Sequence, residues 1–241
     1  MLTFERVSYR YPKAPGCALD AVSFTIPKGA VQGLLGPNGA GKSTVMGLIC
    51  GQLQPTRGRL IRPRSTRVSL VPQEYAFYPS LTCAENLSCF AGVLDLPRHE
   101  CRARIAQAAA FCQLDATHLR RRVQACSGGV RRRLNLAIGL LNQPELVLLD
   151  EPTVGIDPVS RQAILQQIGA LAAQGVTVVF ASHQLEEVSQ LCTQVVLLQN
   201  GLVLADLAMR TLLHDHTSLE AFYIRHTKRY LDSVPAAEVA A

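Results

Sequence analysis

The chain has 241 residues, of which 48% are hydrophobic and 17% are charged, and its net charge is +6 at pH 7. This composition is typical of a folded protein rather than a disordered one, and the length allows one large core with or without a subdomain. With no apolar run of about eighteen residues and no secretory start, we expect neither a membrane span nor a signal peptide.

The eight cysteines are scattered along the chain and form no C-x-x-C pair. Disulfide frameworks are typical of small secreted chains, and structural zinc sites use paired ligands. We therefore predict reduced, mostly buried thiols.

The N-terminal third predicts an antiparallel sheet followed by an α/β unit. Val22, Phe24 and Ile26 alternate with polar residues, as in a half-buried strand, and we expect this strand to pair with residues 2–9. A continuous apolar strand is predicted at residues 31–35, and another strand near 66–71. The loop after the first of these strands and the start of the following helix contain Gly36, Pro37, Asn38, Gly39, Ala40, Gly41, Lys42, Ser43 and Thr44.

This loop matches the pattern G-x-x-x-x-G-K-[ST] in the strand-to-helix context that gives the pattern its meaning. Its glycines allow several backbone N–H groups to point at one centre, and the helix N-terminus adds partial positive charge there. Lys42 is suited to reach the terminal phosphates of a nucleotide, and Ser43 to bind Mg²⁺. The loop therefore predicts a phosphate-binding site.

The middle of the chain changes character. Residues 83–93, 98–114 and 127–141 predict helices, and the last of these carries an apolar stripe made by Val130, Leu134, Ala137, Ile138 and Leu141. Short branched apolar runs then predict buried parallel strands at 146–149 and 176–180, separated and followed by helices at 158–173 and 184–192. Asn200-Gly201 predicts a tight hairpin, and the chain from residue 207 is expected to be helical with a polar, Ala-rich end.

Polar residues follow two of the predicted core strands. Asp150 and Glu151 come after the strand at 146–149, and His183 comes after the next strand. In open α/β sheets, ligands bind outside the carboxyl ends of the strands. One carboxylate there is suited to bind Mg²⁺ and the next to accept a proton from an attacking water. His183 is placed to reach a terminal phosphate.

With these residues in view, the chain resembles the nucleotide-binding subunits of ABC transporters over nearly its whole length. Cys126-Ser127-Gly128-Gly129-Val130 resembles the LSGGQ signature of that family, and Gln73 resembles its Q-loop glutamine. Asp157, in Gly155-Ile156-Asp157-Pro158, resembles the D-loop aspartate, and His183 resembles the switch histidine. Tyr11 resembles the aromatic residue that stacks on adenine, with Tyr9 as a rival.

The resemblance implies an α/β fold, with a P-loop NTPase (RecA-like) core, an antiparallel β edge and an α-helical signature subdomain. The core is expected at residues 1–82 and 142–206, the inserted helical subdomain at 83–141, and a C-terminal helical tail at 207–241.

The resemblance also implies a function for each matched residue, with ATP and Mg²⁺ as ligands. The expected catalytic residues are Glu151, His183 and Lys42, and the expected Mg²⁺ ligands are Ser43, Gln73 and Asp150. The expected nucleotide-binding residues are Tyr11, Gly36, Pro37, Asn38, Gly39, Ala40, Gly41, Lys42, Ser43, Thr44, Gln73, Ser127, Gly128, Gly129 and Asp157.

The signature departs from the family pattern at two positions, with Cys126 where leucine is usual and Val130 where glutamine is usual. Ser127, Gly128 and Gly129 are intact, and these supply a hydroxyl and open backbone amides at a helix start, so we expect the signature to work. The following residues, Arg131, Arg132 and Arg133, are expected to spread over the outer side of that helix.

The implied assembly is a head-to-tail pair of ATP-binding chains, identical or related, with two ATP molecules at the seam and a separate transmembrane permease docked near residues 73–86. The segments 132–137 and 150–158 and the helical end at 218–222 resemble the ATPases of ABC-2 type exporters. The resemblance implies that the chain lies on the cytoplasmic face of the cell membrane.

Three further readings of the chain stay open at this point. The first is an importer, and the second is a soluble ABC protein that acts on ribosomes or nucleic acid. The third is a regulatory module that hardly hydrolyses ATP. The arginine clusters permit nucleic-acid binding, but no direct nucleic-acid role is expected.

Overall fold

The structure is a computed structural model that describes residues 1–94, 96–215 and 218–233. The chain divides into two compact units, the first made of Met1–Pro63 with Phe180–Ala241 and the second of Arg64–Val179. The subdomain boundaries predicted at residues 83 and 141 do not coincide with the limits of these two units, and they stay predictions. The predicted polar tail at residues 234–241 lies outside the described residues.

The first unit contains both strands and helices. Its strands are β1 (Leu2–Tyr9), β2 (Leu19–Ile26), β3 (Val31–Leu35) and β4 (Arg57–Ile61), followed after the second unit by β8 (Gln194–Gln199) and β9 (Leu202–Ala208). Its helices are α1 (Lys42–Cys50), α7 (Leu185–Leu191), α8 (Met209–Asp215) and α9 (Leu219–Ser233).

Three strands of the first unit form an antiparallel sheet in the order β2-β1-β4. Phe4 lies opposite Phe24, and their buried rings stack with centroids 4.4 Å apart, so the predicted pairing of these strands is confirmed. β4 is not among the predicted strands, because its arginines indicate only a basic cluster. It pairs with the other side of β1, where Glu5 lies opposite Arg59 and forms an ion pair with it.

The remaining strands of this unit support the phosphate loop. β3 is buried throughout and pairs in parallel with β8, with Leu34 opposite Val196. β8 turns back into β9 through Asn200 and Gly201, whose φ angles of 46° and 77° are the left-handed values that a type I′ turn requires. The predicted hairpin is therefore confirmed, although β9 continues to Ala208, past the predicted start of the helical end.

The second unit contains most of the helices. Its strands are β5 (Val68–Val71), β6 (Leu146–Asp150) and β7 (Thr177–Ala181), and the last two residues of β7 already belong to the first unit. Its helices are α2 (Cys83–Gly92), α3 (Arg98–Phe111), α4 (Ala116–Arg120), α5 (Gly128–Leu140) and α6 (Pro158–Ala173). β5 and β6 pair in parallel, and the short helix α4 is an element that the sequence patterns do not predict.

Helix α5 packs closely on β5. Gly139 makes this possible, because a Cβ at that position would lie 2.5 Å from Cγ2 of Val71. The apolar stripe predicted for α5 is buried at Val130, Leu134 and Ala137. The close packing brings α5 beside the segment that follows β5.

All eight cysteines are free thiols. Cys83, Cys112, Cys126 and Cys192 are buried, whereas Cys17 and Cys89 are exposed, so burial is less general than predicted. The Sγ atoms of Cys83 and Cys126 lie 3.9 Å apart, and burial, reinforced by the neighbouring thiol, raises the pKa of Cys83 to about 12. The Cys83 thiol is therefore protonated at neutral pH.

A capping box fixes the start of α2. The Thr82 hydroxyl accepts from the Glu85 N–H at 3.1 Å, and the Glu85 carboxylate accepts from the Thr82 N–H at 2.7 Å. We expect Thr82→Ala to lower the free energy of unfolding by about 1 kcal/mol, measured by urea denaturation. Ser88→Ala, which removes a hydroxyl from the interior of the same helix, is the control and should change it by less than about 0.5 kcal/mol.

Hydrogen bonds from Thr82 hold the pKa of Glu85 below its ordinary value. A carboxylate with a lowered pKa stabilises the fold above its ordinary pKa, and this contribution is lost as the pH falls through the lowered value. The difference between wild type and Thr82→Ala should therefore shrink in acid. A constant difference down to the acid limit of folding would contradict the role of the Glu85 carboxylate.

Candidate functional site

The phosphate loop of the first unit depends on residues without side chains. Gly36, Gly39 and Gly41 have φ angles of 156°, 80° and 107°, which L-residues rarely adopt. A Cβ at Gly36 would collide with the backbone carbonyl oxygen of Leu198. A Cβ at Gly41 would lie 2.7 Å from Cδ2 of Leu19. The loop therefore keeps its path only with glycine at these positions.

Lys42 lies inside the curve of this loop. Its side chain is buried, and Nζ donates to the carbonyl oxygens of Gly36 at 2.6 Å and Pro37 at 2.9 Å. Helix α1 begins at Lys42, has Gly41 as its N-cap without a side-chain cap, and carries no acidic residue in its first turn. The helix N-terminus and the lysine thus present positive charge to one place, which is the electrostatic requirement for binding phosphate groups.

Tyr11 is fixed to the first turn of α1. Its hydroxyl lies 3.2 Å from Oγ1 of Thr44, and 43% of the residue is exposed. Tyr9 is buried and packs edge-on against Tyr11, with ring centroids 4.9 Å apart. Of the two tyrosines, Tyr11 therefore has the ring that a planar ligand is able to cover.

His183 is exposed in the turn that leads from β7 to α7. Ser182 shapes this turn, because its hydroxyl accepts from the Gln184 N–H at 3.0 Å and lies 3.3 Å from Oε2 of the buried Glu187. His183 also lines a cavity of about 620 Å³, together with the first residues of α7 and α9. The turn thus holds the imidazole at the surface of the first unit.

Glu151 is the non-glycine residue of the predicted site that has a positive φ angle. It follows Asp150, the last residue of β6, and is 5% exposed with a φ angle of 48°. A left-handed backbone at a residue with a long side chain costs free energy, and such residues are concentrated at functional sites. The strained backbone holds Glu151 just beyond the end of β6, beside Asp150.

The segment after β5 is held by α5. Nδ2 of Asn135 donates to the carbonyl oxygen of Pro72 at 2.9 Å, and Nη1 of Arg132 donates to that of Gln73 at 2.6 Å. Arg132 is 6% exposed, so the expectation that it lies on the outer side of the helix is wrong for this residue. Arg132 lies on the side of the helix that also carries Asn135 and faces the segment after β5, whereas Arg131 and Arg133 lie about 100° to either side of it. The Gln73 side chain remains exposed.

The signature residues form the N-terminus of α5. The Ser127 side chain caps the helix by accepting from the Val130 N–H at 3.4 Å, and no acidic residue lies in the first turn. Gly129 is buried against α6, where a Cβ would collide with Ser160. Cys126 and Val130 are both buried, so the two departures from the family pattern lie in the core rather than at the exposed helix start.

Asp157 caps α6 close to this point. Its Oδ1 accepts from the Ser160 N–H at 2.9 Å. Hydrogen bonds from Ser160 hold the pKa of Asp157 below its ordinary value, so this exposed carboxylate is ionised at neutral pH.

The predicted site residues thus lie in two groups. The first unit holds Tyr11, His183 and the whole phosphate loop with Lys42, Ser43 and Thr44. The second unit holds Gln73, Asp150, Glu151, Asp157, Ser127, Gly128 and Gly129. The buried position of Arg132 is not predictable from the sequence, because no local pattern distinguishes it from the arginines on either side.

The three Mg²⁺ ligands stay predictions, with Ser43 in the first unit and Gln73 and Asp150 in the second. The Ser43 hydroxyl belongs to an exposed residue, and Asp150 is the single carboxylate of the set. Among residues 1–94, 96–215 and 218–233, no group of three or more His, Cys, Asp or Glu side chains is placed to hold a metal. The Ser43 hydroxyl and the Asp150 carboxylate are oxygen ligands of the type that Mg²⁺ binds alongside waters and phosphate oxygens.

None of the described helices has the length and apolarity that a bilayer span requires.

Comparison with known proteins identifies the family. A family model described as "ABC transporter" matches residues 19–154. The chain is 36% identical over 215 residues to the linearmycin resistance ATP-binding protein LnrL of Bacillus subtilis, covering 85% of this chain and 68% of that protein. It is 34% identical over 236 residues to the Nod factor export ATP-binding protein I of Burkholderia thailandensis, covering 92% of this chain and 76% of the relative.

Solved structures agree on the fold. An ATP-binding subunit of an ABC transporter superposes with a TM-score of 0.80 at 26% identity, covering 94% of this chain and 99% of that one. A dimeric ATP-binding cassette in a post-hydrolysis state with ADP and phosphate superposes with a TM-score of 0.77 at 24% identity, covering 87% and 99%. The predicted α/β fold with a P-loop core is confirmed. The chain belongs to the ABC transporter family, as one of its ATP-binding, ATP-hydrolysing subunits.

Proposed function

We propose that this chain is the motor subunit of an exporter, in which two ATP-binding chains close on two ATP molecules and drive a separate transmembrane subunit. The observation that carries the proposal is the loop around Lys42, where a buried ammonium and an uncapped helix start converge. Relatives named for Nod factor export and linearmycin resistance support the exporter class over a ribosome-associated or regulatory protein.

Each chain offers two separate helix starts suited to phosphate, at α1 and at α5. In a head-to-tail pair, the Lys42 loop of one chain faces Ser127 of the other across one ATP. Exposed groups near the N-terminus of α5 support this arrangement. Ser127 is exposed, and Val159, next to the Asp157 cap, is an apolar side chain with 80% exposure that a second chain would cover. The solved relative that is a dimer supports the same assembly.

The residue roles follow from the chemistry of the groups. Lys42 and the loop amides bind the β- and γ-phosphates, and His183 holds the γ-phosphate. Glu151 takes the proton of the attacking water. Ser43, Gln73 and Asp150 hold Mg²⁺, which when bound neutralises charge on the phosphate oxygens. Asp157 communicates with the second chain of the pair.

An aromatic surface in the second unit fits the transmembrane partner. Tyr78 is 57% exposed and its ring centroid lies 6.5 Å from that of Phe90, while Val93 at the end of α2 is 80% exposed. Tyr78 lies in the same chain segment as Gln73, which it follows in the sequence. Exposed apolar clusters of this kind mark interaction sites. We place the cytoplasmic end of the permease here, which puts the chain on the cytoplasmic face of the membrane.

Tyr11 provides a test of the adenine position. We expect Tyr11→Ala to raise the Kd of ATP by roughly 5- to 150-fold, because stacking a base on an aromatic ring contributes about 1–3 kcal/mol. Tyr11→Phe should keep the affinity within about twofold. Binding of tripolyphosphate, which has no base, should be equal in all three proteins when measured by calorimetry. Equal ATP affinity in Tyr11→Ala would contradict the stacking role.

The proposed partner is tested by trapping the closed pair in native membranes. The Glu151→Gln chain, tagged and loaded with ATP and Mg²⁺, should remain with the membrane fraction and co-purify with an integral membrane protein. Deleting the gene of that protein should release the chain from the membrane. Recovery with ribosomes or nucleic acid instead would contradict the proposal.

A further inference from the structure

Arg132 is a buried cation in the second unit that holds two segments of the proposed catalytic apparatus. Nη1 donates to the carbonyl oxygen of Gln73 at 2.6 Å, and Nη2 donates to that of Val154 at 3.2 Å. The guanidinium carbon lies 4.8 Å from the ring centroid of Tyr75. One side chain of the signature helix therefore contacts the segment that carries Gln73 and the segment between Glu151 and Asp157.

The burial of this charge needs an explanation. Arg132 is 6% exposed, and within the described residues no carboxylate forms an ion pair with it. Burying a cation without an anion is unfavourable unless hydrogen bonds and other contacts offset the loss of water. Here two backbone carbonyls and the face of Tyr75 supply those contacts. Only a planar guanidinium offers donors in a fork while stacking on a ring.

The neighbouring arginines differ from Arg132. Nη1 of Arg133 donates to the carbonyl oxygen of Gln113 at 2.8 Å, in an exposed bond away from the Gln73 segment. Arg132 and Asn135, three residues apart, lie on one face of α5 and together hold the consecutive carbonyls of Pro72 and Gln73. The position of the Gln73 backbone is thus tied to the helix whose start bears Ser127.

We infer that Arg132 is a positioning residue for ATP hydrolysis: its bond to Val154 fixes the guanidinium, and its bond to Gln73 holds the backbone there and so orients the Gln73 side chain. The inference rests on the proposed function, because it takes from it the role of Gln73 at Mg²⁺. Arg132 does not contact the nucleotide in this scheme, so it governs the rate of the bound complex rather than the affinity for ATP.

A double-mutant cycle on the full-length chain tests this role. Arg132→Gln should lower kcat by about tenfold, as expected for loss of buried charge-assisted hydrogen bonds. The Kd of ATP measured without Mg²⁺ should stay within about twofold of wild type. In a Gln73→Ala background, Arg132→Gln should lower kcat by less than about twofold, because its main target is already gone. Arg133→Gln removes the same charge from the same helix and should leave kcat and Kd unchanged.

The outcomes separate the inference from the function on which it rests. If Gln73→Ala hydrolyses ATP at the wild-type rate, the proposed role of Gln73 fails and the inference fails with it. If Gln73→Ala is slow and Arg132→Gln lowers kcat by the same factor in both backgrounds, the inference is overturned while the proposed function stands. If thermal melting shows that Arg132→Gln is unfolded, the same cycle is run with Arg132→Lys, which keeps the charge but not the fork.

Discussion

Glu151→Gln is expected to slow steady-state ATP hydrolysis by about 10²-fold or more, the usual loss when a general base is removed. Glutamine has the shape of glutamate but does not take the proton of the attacking water. Because glutamine fills the same buried volume and carries the same backbone strain at a φ angle of 48°, the replacement should keep the local structure. ATP binding should persist, and the bound complex should accumulate.

The measurement combines phosphate release with gel filtration in ATP and Mg²⁺. Glu151→Gln should elute as a dimer, whereas the wild type returns to monomer as it consumes ATP. Glu145→Gln is the matched control, because Glu145 is half-exposed just before β6 and pairs with Arg67 at 3.2 Å. That variant should hydrolyse ATP normally. A wild-type rate for Glu151→Gln would show that another group is the base.

Lys42→Met is expected to weaken ATP binding by roughly 10- to 100-fold. The change removes the buried ammonium that Gly36 and Pro37 hold in the phosphate loop. The magnitude follows because hydrogen bonds to charged groups each contribute about 1.5–3 kcal/mol. Methionine has a similar length, so the helix start should keep its packing.

Calorimetric titration with ATP provides the test, with thermal melting as the check of folding. Lys28→Met removes an equal charge from an exposed position and should leave the Kd unchanged. An unchanged Kd in Lys42→Met with an intact fold would mean that the lysine holds only the loop and not the phosphates.

Local patterns predict the parts of the fold that depend on local chemistry. Apolar runs identify β3 and β6, and Asp157-Pro158 marks the start of α6 because an aspartate cap followed by proline suits the first turn. Asn200-Gly201 identifies its hairpin for a similar reason. These elements are predictable because each is specified within a few residues of sequence.

The features that sequence reasoning misses depend on distant partners. β4 carries Arg57 and Arg59 and has no apolar face of its own, so pairing with β1 is what makes it a strand. Arg132 has the same side chain as its neighbours, and its burial arises from carbonyls 22 and 59 residues away. The strained backbone of Glu151 has no local sequence signal either. The phosphate loop, Asp150, Glu151 and His183 are predictable from local pattern and position, and the remaining motif residues follow from the family resemblance. The supporting contacts are visible only in the structure.

The arginines of β4 have a consequence for the behaviour of the protein in solution. β4 is an edge strand of the three-stranded sheet. The backbone N–H and C=O groups on its outer side are therefore able to pair with a strand of another polypeptide. Arg57 and Arg59 are exposed there. Pairing of two such edge strands from separate molecules would bring like charges together. This repulsion opposes edge-to-edge pairing and aggregation.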